Sequence, residues 1–258
     1  MRGIGAEAGE ARGAIAELAR RIADAAPQLR AGAIALVDSP RWPRDMDLAR
    51  AGESRGDIRE RSIDAALRAM VRGLIDSGAA PALRPLALFP TPCRGYFDAH
   101  LDAPACKAHL RALGRELFPV RRSVALHGGT FTRFMIAGFA TYRALESVGI
   151  ASYEAYPDLQ FRLWSRGKVL PPKKAGREAR EERRHIVAAL ADRIGISGCE
   201  DLNSLDALDA AILALSAASA RRCGTIAILE HRAEGRFMVA TDIGVDGWRQ
   251  AGFDGWAK

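Results

Sequence analysis

Residues 33 to 37 read Ala-Ile-Ala-Leu-Val, an apolar run without alternation that stops at Asp38-Ser39-Pro40. A strand apolar at every position is buried on both faces, and the Ser-Pro dipeptide is a turn signal. Such strands belong to α/β sheets covered by helices. The rest of the chain is read around this segment.

Ile15, Leu18 and Ile22 form one stripe among charged positions, so residues 14 to 25 are expected to form an amphipathic helix ahead of the strand. Arg, Asp, Pro and Gly dominate 41 to 56, as in a loop above the strand's end. Asp57 or a neighbour then starts a helix with apolar residues at Ile63, Leu67, Met70, Val71, Leu74 and Ile75, ended by Gly78. Pro85 to Phe89 suits another buried strand, and a helix is expected near Ala105 to Leu117. Thr130 caps a helix running to about residue 148. The strand that follows, Ala151 to Tyr156, closes at Pro157, completing the second half of a βαβ-type layout.

Beyond a Pro-Pro-Lys-Lys turn lies a helix whose charged start, Arg177 to Arg184, gives way to Ile186, Val187 and Leu190. Asn203 or Ser204 caps the next helix, Leu205 to about Arg222, which is apolar nearly all round and therefore buried. Thr225 to Leu229 and Phe237 to Ala240 are expected as final strands. The organisation is a single domain over residues 1–241 with a loop-like C-terminal tail over 242–258.

A chain of 258 residues can bury about three quarters of its unfolded surface without a disulfide or metal staple. Its 48% hydrophobic and 27% charged residues exclude a disordered, collagen-like or disulfide-scaffold protein. Cys93, Cys106, Cys199 and Cys223 form no Cys-x-x-Cys pair, which speaks against a zinc knuckle or redox motif. No run of about 18 apolar residues is present, and the N-terminus lacks the order of a secretion signal, so no membrane partner and a cytoplasmic location are expected. With 38 Lys and Arg against 31 Asp and Glu, the net charge of +7 suits either a polyanionic partner or plain solubility.

Three places put a carboxylate where packing alone would choose an apolar side chain. Asp38 ends a buried strand, Glu154 lies inside another, and Asp206 and Asp209 occupy the first turn of a buried helix. At three-residue spacing the last two share a helix face, roughly 5 to 6 Å apart at Cβ. Buried like charges repel, and a hard divalent ion removes that cost. Asp38, Glu154 and Asp206 are therefore candidate ligands for magnesium or manganese, with Asp209 assisting, and the four together are candidate catalytic residues. Asp38 alone would also serve a turn, and Asp206 and Asp209 a helix dipole. Lys173, Lys174, Arg177 and Arg180, at the turn and helix start that follow, are candidates for gripping a nucleic-acid backbone. Glu178, Glu181 and Glu182 equally allow a solvated face with internal ion pairs.

The order Ala-Leu-Val-Asp-Ser-Pro (35–40), Tyr-Glu-Ala-Tyr-Pro (153–157), Lys-Lys-Ala-Gly-Arg-Glu-Ala-Arg (173–180) and Asp-Ala-Leu-Asp-Ala-Ala (206–211) resembles a family of uncharacterised proteins thought to be ribonuclease H-like nucleases. The resemblance implies a mixed sheet flanked by helices, carrying a carboxylate cluster that binds divalent metal for phosphodiester hydrolysis. Asp38 matches the family's strand-end Asp, Glu154 its Glu-x-Tyr-Pro glutamate, and Asp206 and Asp209 its helical pair. Such folds open with three antiparallel strands bearing a Gly-x-Asp, and here Met1 to Gly9 leads almost directly into a helix. The N-terminal hairpin strands are thus reduced or missing, and the Asp38 strand is left with an open edge. An upstream start, a second copy covering that edge, or a catalytically inactive nucleic-acid-binding or scaffold protein would each account for it.

Overall fold

In the computed structural model, the described residues are 17, 19–24, 27, 33–42, 58–59, 61–86, 91–92, 138, 141–166, 169–223, 225–232, 234–252 and 256–257. In chain order the elements are β1 (Ile34–Val37), β2 (Ile58–Arg59), α1 (Ser62–Asp76), β3 (Thr91–Pro92), β4 (Ala151–Glu154), α2 (Pro157–Trp164), a 3-10 turn at Lys173–Ala175, α3 (Arg177–Arg193), α4 (Leu205–Cys223), β5 (Thr225–His231), β6 (Gly235–Thr241), α5 (Val245–Gln250) and β7 (Trp256–Ala257). Residues 19–24 and 141–147 are also helical. The expected helix near Ala105 to Leu117 and the Thr130 cap lie outside the described residues.

The chain divides into two compact units. The first comprises Met1–Arg61, Pro90–Tyr153 and Arg232–Gly235. In it β1 lies beside the first residues of β4, and among the described residues β1 ends the strand order. The Tyr142 hydroxyl donates to the Ser39 carbonyl (2.9 Å), and Arg41 Nη1 donates to the Ser152 carbonyl (2.7 Å), so the turn after β1 is tied to both the helix and the strand that precede residue 153. Gly138 comes so close that a Cβ there would stand 1.7 Å from Ser39 Oγ, which leaves glycine as the one residue that fits. β2 pairs antiparallel with β3, joining Ile58 to Pro92 and Arg59 to Thr91. That pairing takes up the backbone where a helix was expected from Asp57, and α1 begins instead at Ser62.

The second unit comprises Ser62–Phe89, Glu154–His231 and Arg236–Lys258, and holds a mixed four-strand order, β4-β6-β5-β7, with helices. β4 and β6 run parallel with Glu154 opposite Phe237, and β7 is antiparallel to β5. α1 buries Ile63, Leu67, Met70, Val71 and Leu74, a stripe at three- and four-residue steps, against Leu159, Leu163, Leu229, Val239 and Trp248. A second core joins Phe161 of α2 to Val187, Leu190 and Ala191 of α3 and to Leu208, Ile212 and Leu215 of α4. α2 is thus wedged between two cores, Leu159 and Leu163 facing one and Phe161 the other. Its start is set by Pro157 at the first helical position, with Tyr156 extended before it (φ −122°, ψ 105°).

Pro85 and Leu86, expected to open a strand, have no regular structure. The segment expected as a loop-like tail also differs, because it forms α5 and β7 and buries Trp248 completely. Two of its glycines flank the short helix, Gly244 as the N-cap and Gly252 at φ +73° beyond the end. Among the described residues no helix is long and apolar enough to cross a membrane.

Candidate functional site

α4 begins where the Ser204 hydroxyl accepts from the Ala207 backbone N–H (3.0 Å), one of the two caps expected from sequence. This start places Asp206 and Asp209 in its first turn and a half with opposite fates. Asp206 is exposed, in a row with the small residues Ala210 and Ala214, whereas Asp209 shares the buried face with Ile212 and Leu213. The Asp209 carboxylate is 9% exposed. Its Oδ2 is held by the Lys173 ammonium, and its Oδ1 is buried without a hydrogen-bond partner among the described residues. Burial pushes its pKa above the ordinary carboxylate value, against the opposing pull of Lys173 and Arg183.

Arg183 organises the surroundings. It is 2% exposed on α3, and its Nη1 donates to the carbonyls of Pro171 (3.0 Å) and Ala179 (3.2 Å). The guanidinium lies over the Phe161 ring, 5.5 Å from its centroid, and its Nη2 is 3.8 Å from Asp158 Oδ1. Asp158, in the first turn of α2, is also paired with Arg162 one turn on. Because Arg183 fixes Pro171, it fixes the turn from which Lys173 reaches Asp209. The local arrangement is therefore a chain of alternating charge, Arg162, Asp158, Arg183, Asp209 and Lys173, contributed by α2, α3, α4 and the 3-10 turn.

Glu154 and Asp38 are the other carboxylates singled out from sequence. Glu154 is 1% exposed at the end of β4, in the second unit. Asp38 is half-buried just past β1, in the first unit. Among the described residues no three His, Cys, Asp or Glu side chains gather closely enough to hold an ion by themselves. Of the four basic residues singled out, Lys173 is committed to Asp209 while its side chain remains half exposed. Lys174, Arg177 and Arg180 are exposed around the turn at Gly176 (φ +62°), where the chain enters α3. Arg177 Nε also donates to Glu181 (2.7 Å), one of the internal pairs foreseen on this face.

Sequence reasoning passed over Arg183, Asp158 and Arg162. A signal for the first was present, since residues 179, 183, 187, 190 and 194 fall on one helical stripe, where the cation stands among Ala179, Val187, Leu190 and Ile194. A cation on an apolar stripe needs acceptors, and the Pro171 and Ala179 carbonyls supply them.

The model of a family described as proteins of unknown function, DUF429, matches residues 3–234. The chain belongs to the DUF429 family. No curated protein and no solved structure matches this DUF429 protein significantly. The matched span contains all four sequence motifs, and with them Asp38, Glu154, Lys173, Asp206 and Asp209. The expectation of an uncharacterised family therefore holds for most of the chain. In this DUF429 protein the motifs at 173–180 and 206–211 meet in the Lys173–Asp209 pair.

Proposed function

We propose that the chain is a ribonuclease H-like, divalent-metal-dependent hydrolase of phosphodiester bonds in nucleic acid, working in the cytoplasm. The observation that carries this reading is the Asp209 carboxylate, buried with one oxygen, Oδ1, lacking a hydrogen-bond partner among the described residues. A hard ion such as magnesium or manganese takes oxygen ligands from one or two carboxylates and the rest from substrate phosphate and water, so a site without three clustered side chains still suits it. Within the second unit the candidate ligands are Glu154 and Asp206, with Asp209 assisting. Once bound, such an ion activates water and stabilises a departing phosphate oxygen.

The chain's own groups do the remaining work. Lys174, Arg177 and Arg180 offer exposed cations to the backbone of the strand. Lys173 balances Asp209 until substrate phosphate competes for its ammonium, and Arg183 positions Lys173 through Pro171. A second copy pairing along β1 would cover the edge that ends the strand order.

A second reading, nucleic-acid binding without hydrolysis, is favoured by the Lys173–Asp209 pair, in which the carboxylate's charge is already balanced by the chain. Cleavage of single- and double-stranded RNA and DNA, with magnesium, manganese or chelator present, decides between them. The hydrolase reading expects metal-dependent cleavage that falls about 100-fold or more in Glu154→Gln and Asp209→Asn. The joint variant Arg177→Ala and Arg180→Ala would bind single strands more weakly, its salt slope shallower by roughly 0.7 per lost contact. Metal-independent binding with no cleavage, unchanged by Glu154→Gln and Asp209→Asn, would instead establish the second reading.

A further inference from the structure

Two cavities in the second unit, of about 310 and 360 Å³, share Arg166 and Asp242 in their walls and so form one double cleft. Lys173, Arg183 and Asp209 line neither. One compartment sets Arg162 and Arg166 against an apolar wall that includes Leu83 and Ile243. The other is walled by Trp164, Ile186 and Leu190. Each has the volume of a small ligand site.

The cations of the cleft are unequally committed. Arg162 is paired with Asp158, and Arg193 donates to Asp242 Oδ2 (3.2 Å) while lying over the Trp164 ring at 5.6 Å. The Arg166 side chain, exposed at the junction of the two compartments, has no hydrogen-bond or ion-pair partner among the described residues. Its backbone is in the left-handed region (φ +55°), the one non-glycine residue there among the described residues. Helices commonly end on a left-handed residue that is glycine, and a large cation in that place is a strained choice that directs a functional question. A second group is also unsatisfied: the indole N–H of Trp164, a residue that lines the second compartment, is buried without an acceptor among the described residues. A donor left so in a cavity wall asks for an acceptor from outside the chain.

We propose that this double cleft binds a small phosphomonoester with a planar body, of the size of a nucleoside monophosphate. The phosphate sits on Arg166 beside Arg162, with the guanidinium matching its oxygens. The planar body lies along Ile186 and Leu190, where an acceptor on it takes the Trp164 N–H. Asp242, held by Arg193, fixes the wall between the compartments. The inference is independent of the hydrolase reading, since it uses none of the candidate catalytic residues.

Titration calorimetry of the full chain with adenosine 5′-monophosphate, adenosine and inorganic phosphate, in chelator, tests it. The nucleotide is expected to bind at least about tenfold more tightly than either fragment, a gap of about 1.4 kcal/mol or more. Arg166→Gln and Arg166→Gly should each weaken it about tenfold or more, while the glycine variant keeps or raises its urea midpoint because the strain is relieved. Asp209→Asn should leave the affinity within about twofold. The proposal is overturned if the nucleotide binds no better than phosphate, if Arg166→Gly binds it as the wild type does, or if Asp209→Asn loses it equally.

Discussion

Asp209 sets two forces against each other, and their balance can be measured. Desolvation raises its pKa and Lys173 lowers it, with desolvation the larger. The folded chain therefore holds this proton more tightly than the unfolded chain, whose aspartates titrate at about 3.9. The resulting stability is complete below that unfolded value and is lost as pH rises through the higher folded value. Asp209→Asn carries no charge at any pH, so its stability relative to the wild type should improve as pH climbs from about 4 toward neutrality. Urea midpoints of both proteins across that range give the slope, and a wild type that gained on the variant would show that the Lys173 pull dominates. From the sequence the two aspartates share one face of a buried helix, and the structure separates them: Asp206 heads a row of exposed alanines and Asp209 a row with buried Ile212 and Leu213. The identity of Asp209's partner was not legible in the sequence, because Lys173 lies 36 positions away and reaches it only through the turn that Arg183 holds.

At the scale of elements, helices and strands were legible wherever burial follows a local period, as in α1 and α3. Partnerships between distant segments were less so, and α2 shows why. β4 pairs with β6 at Glu154 and Phe237, and three residues farther along β6 the backbone of Ala240 has passed the end of that strand. Gln160, completely buried on α2, takes the strand's place. With its amide oriented to satisfy both groups, it donates to the Ala240 carbonyl (2.6 Å) and accepts from the Ala240 N–H (3.1 Å). A helix side chain thus continues the pairing pattern of a sheet, which no strand or helix periodicity announces. Gln160→Leu keeps the volume nearly constant but orphans both backbone groups, and should cost about 2–4 kcal/mol. Urea denaturation measures it, and a loss below about 1 kcal/mol would mean that Ala240 finds other partners.

For the whole molecule, the net charge of +7 divides into local roles. Lys173, Arg162, Arg183 and Arg193 are engaged with carboxylates, so part of the basic composition is internal wiring, and Lys174, Arg166 and Arg180 remain exposed. The extent of the folded body was the hardest property to foresee. Glycines at 244, 247, 252 and 255 look like a tail, because propensity counts their cost and misses the packing that offsets it. In the second unit Trp248 is wholly buried in the core with Leu67, Leu74 and Val239, and β7 pairs with β5. Gly73 of α1 comes so near α5 that a Cβ would stand 2.3 Å from the Ala251 carbonyl oxygen, so the two helices meet at backbone distance. A segment docked in this way belongs to the cooperative unit and should unfold with it. Trp248→Ala removes the largest fully buried side chain among the described residues and should cost about 3–5 kcal/mol, shifting the urea transition of the second unit as a whole. If 245–257 were merely laid against the surface, the loss would stay within about 0.5 kcal/mol and leave that transition in place, so the size of the shift measures how far the folded core extends toward the C-terminus.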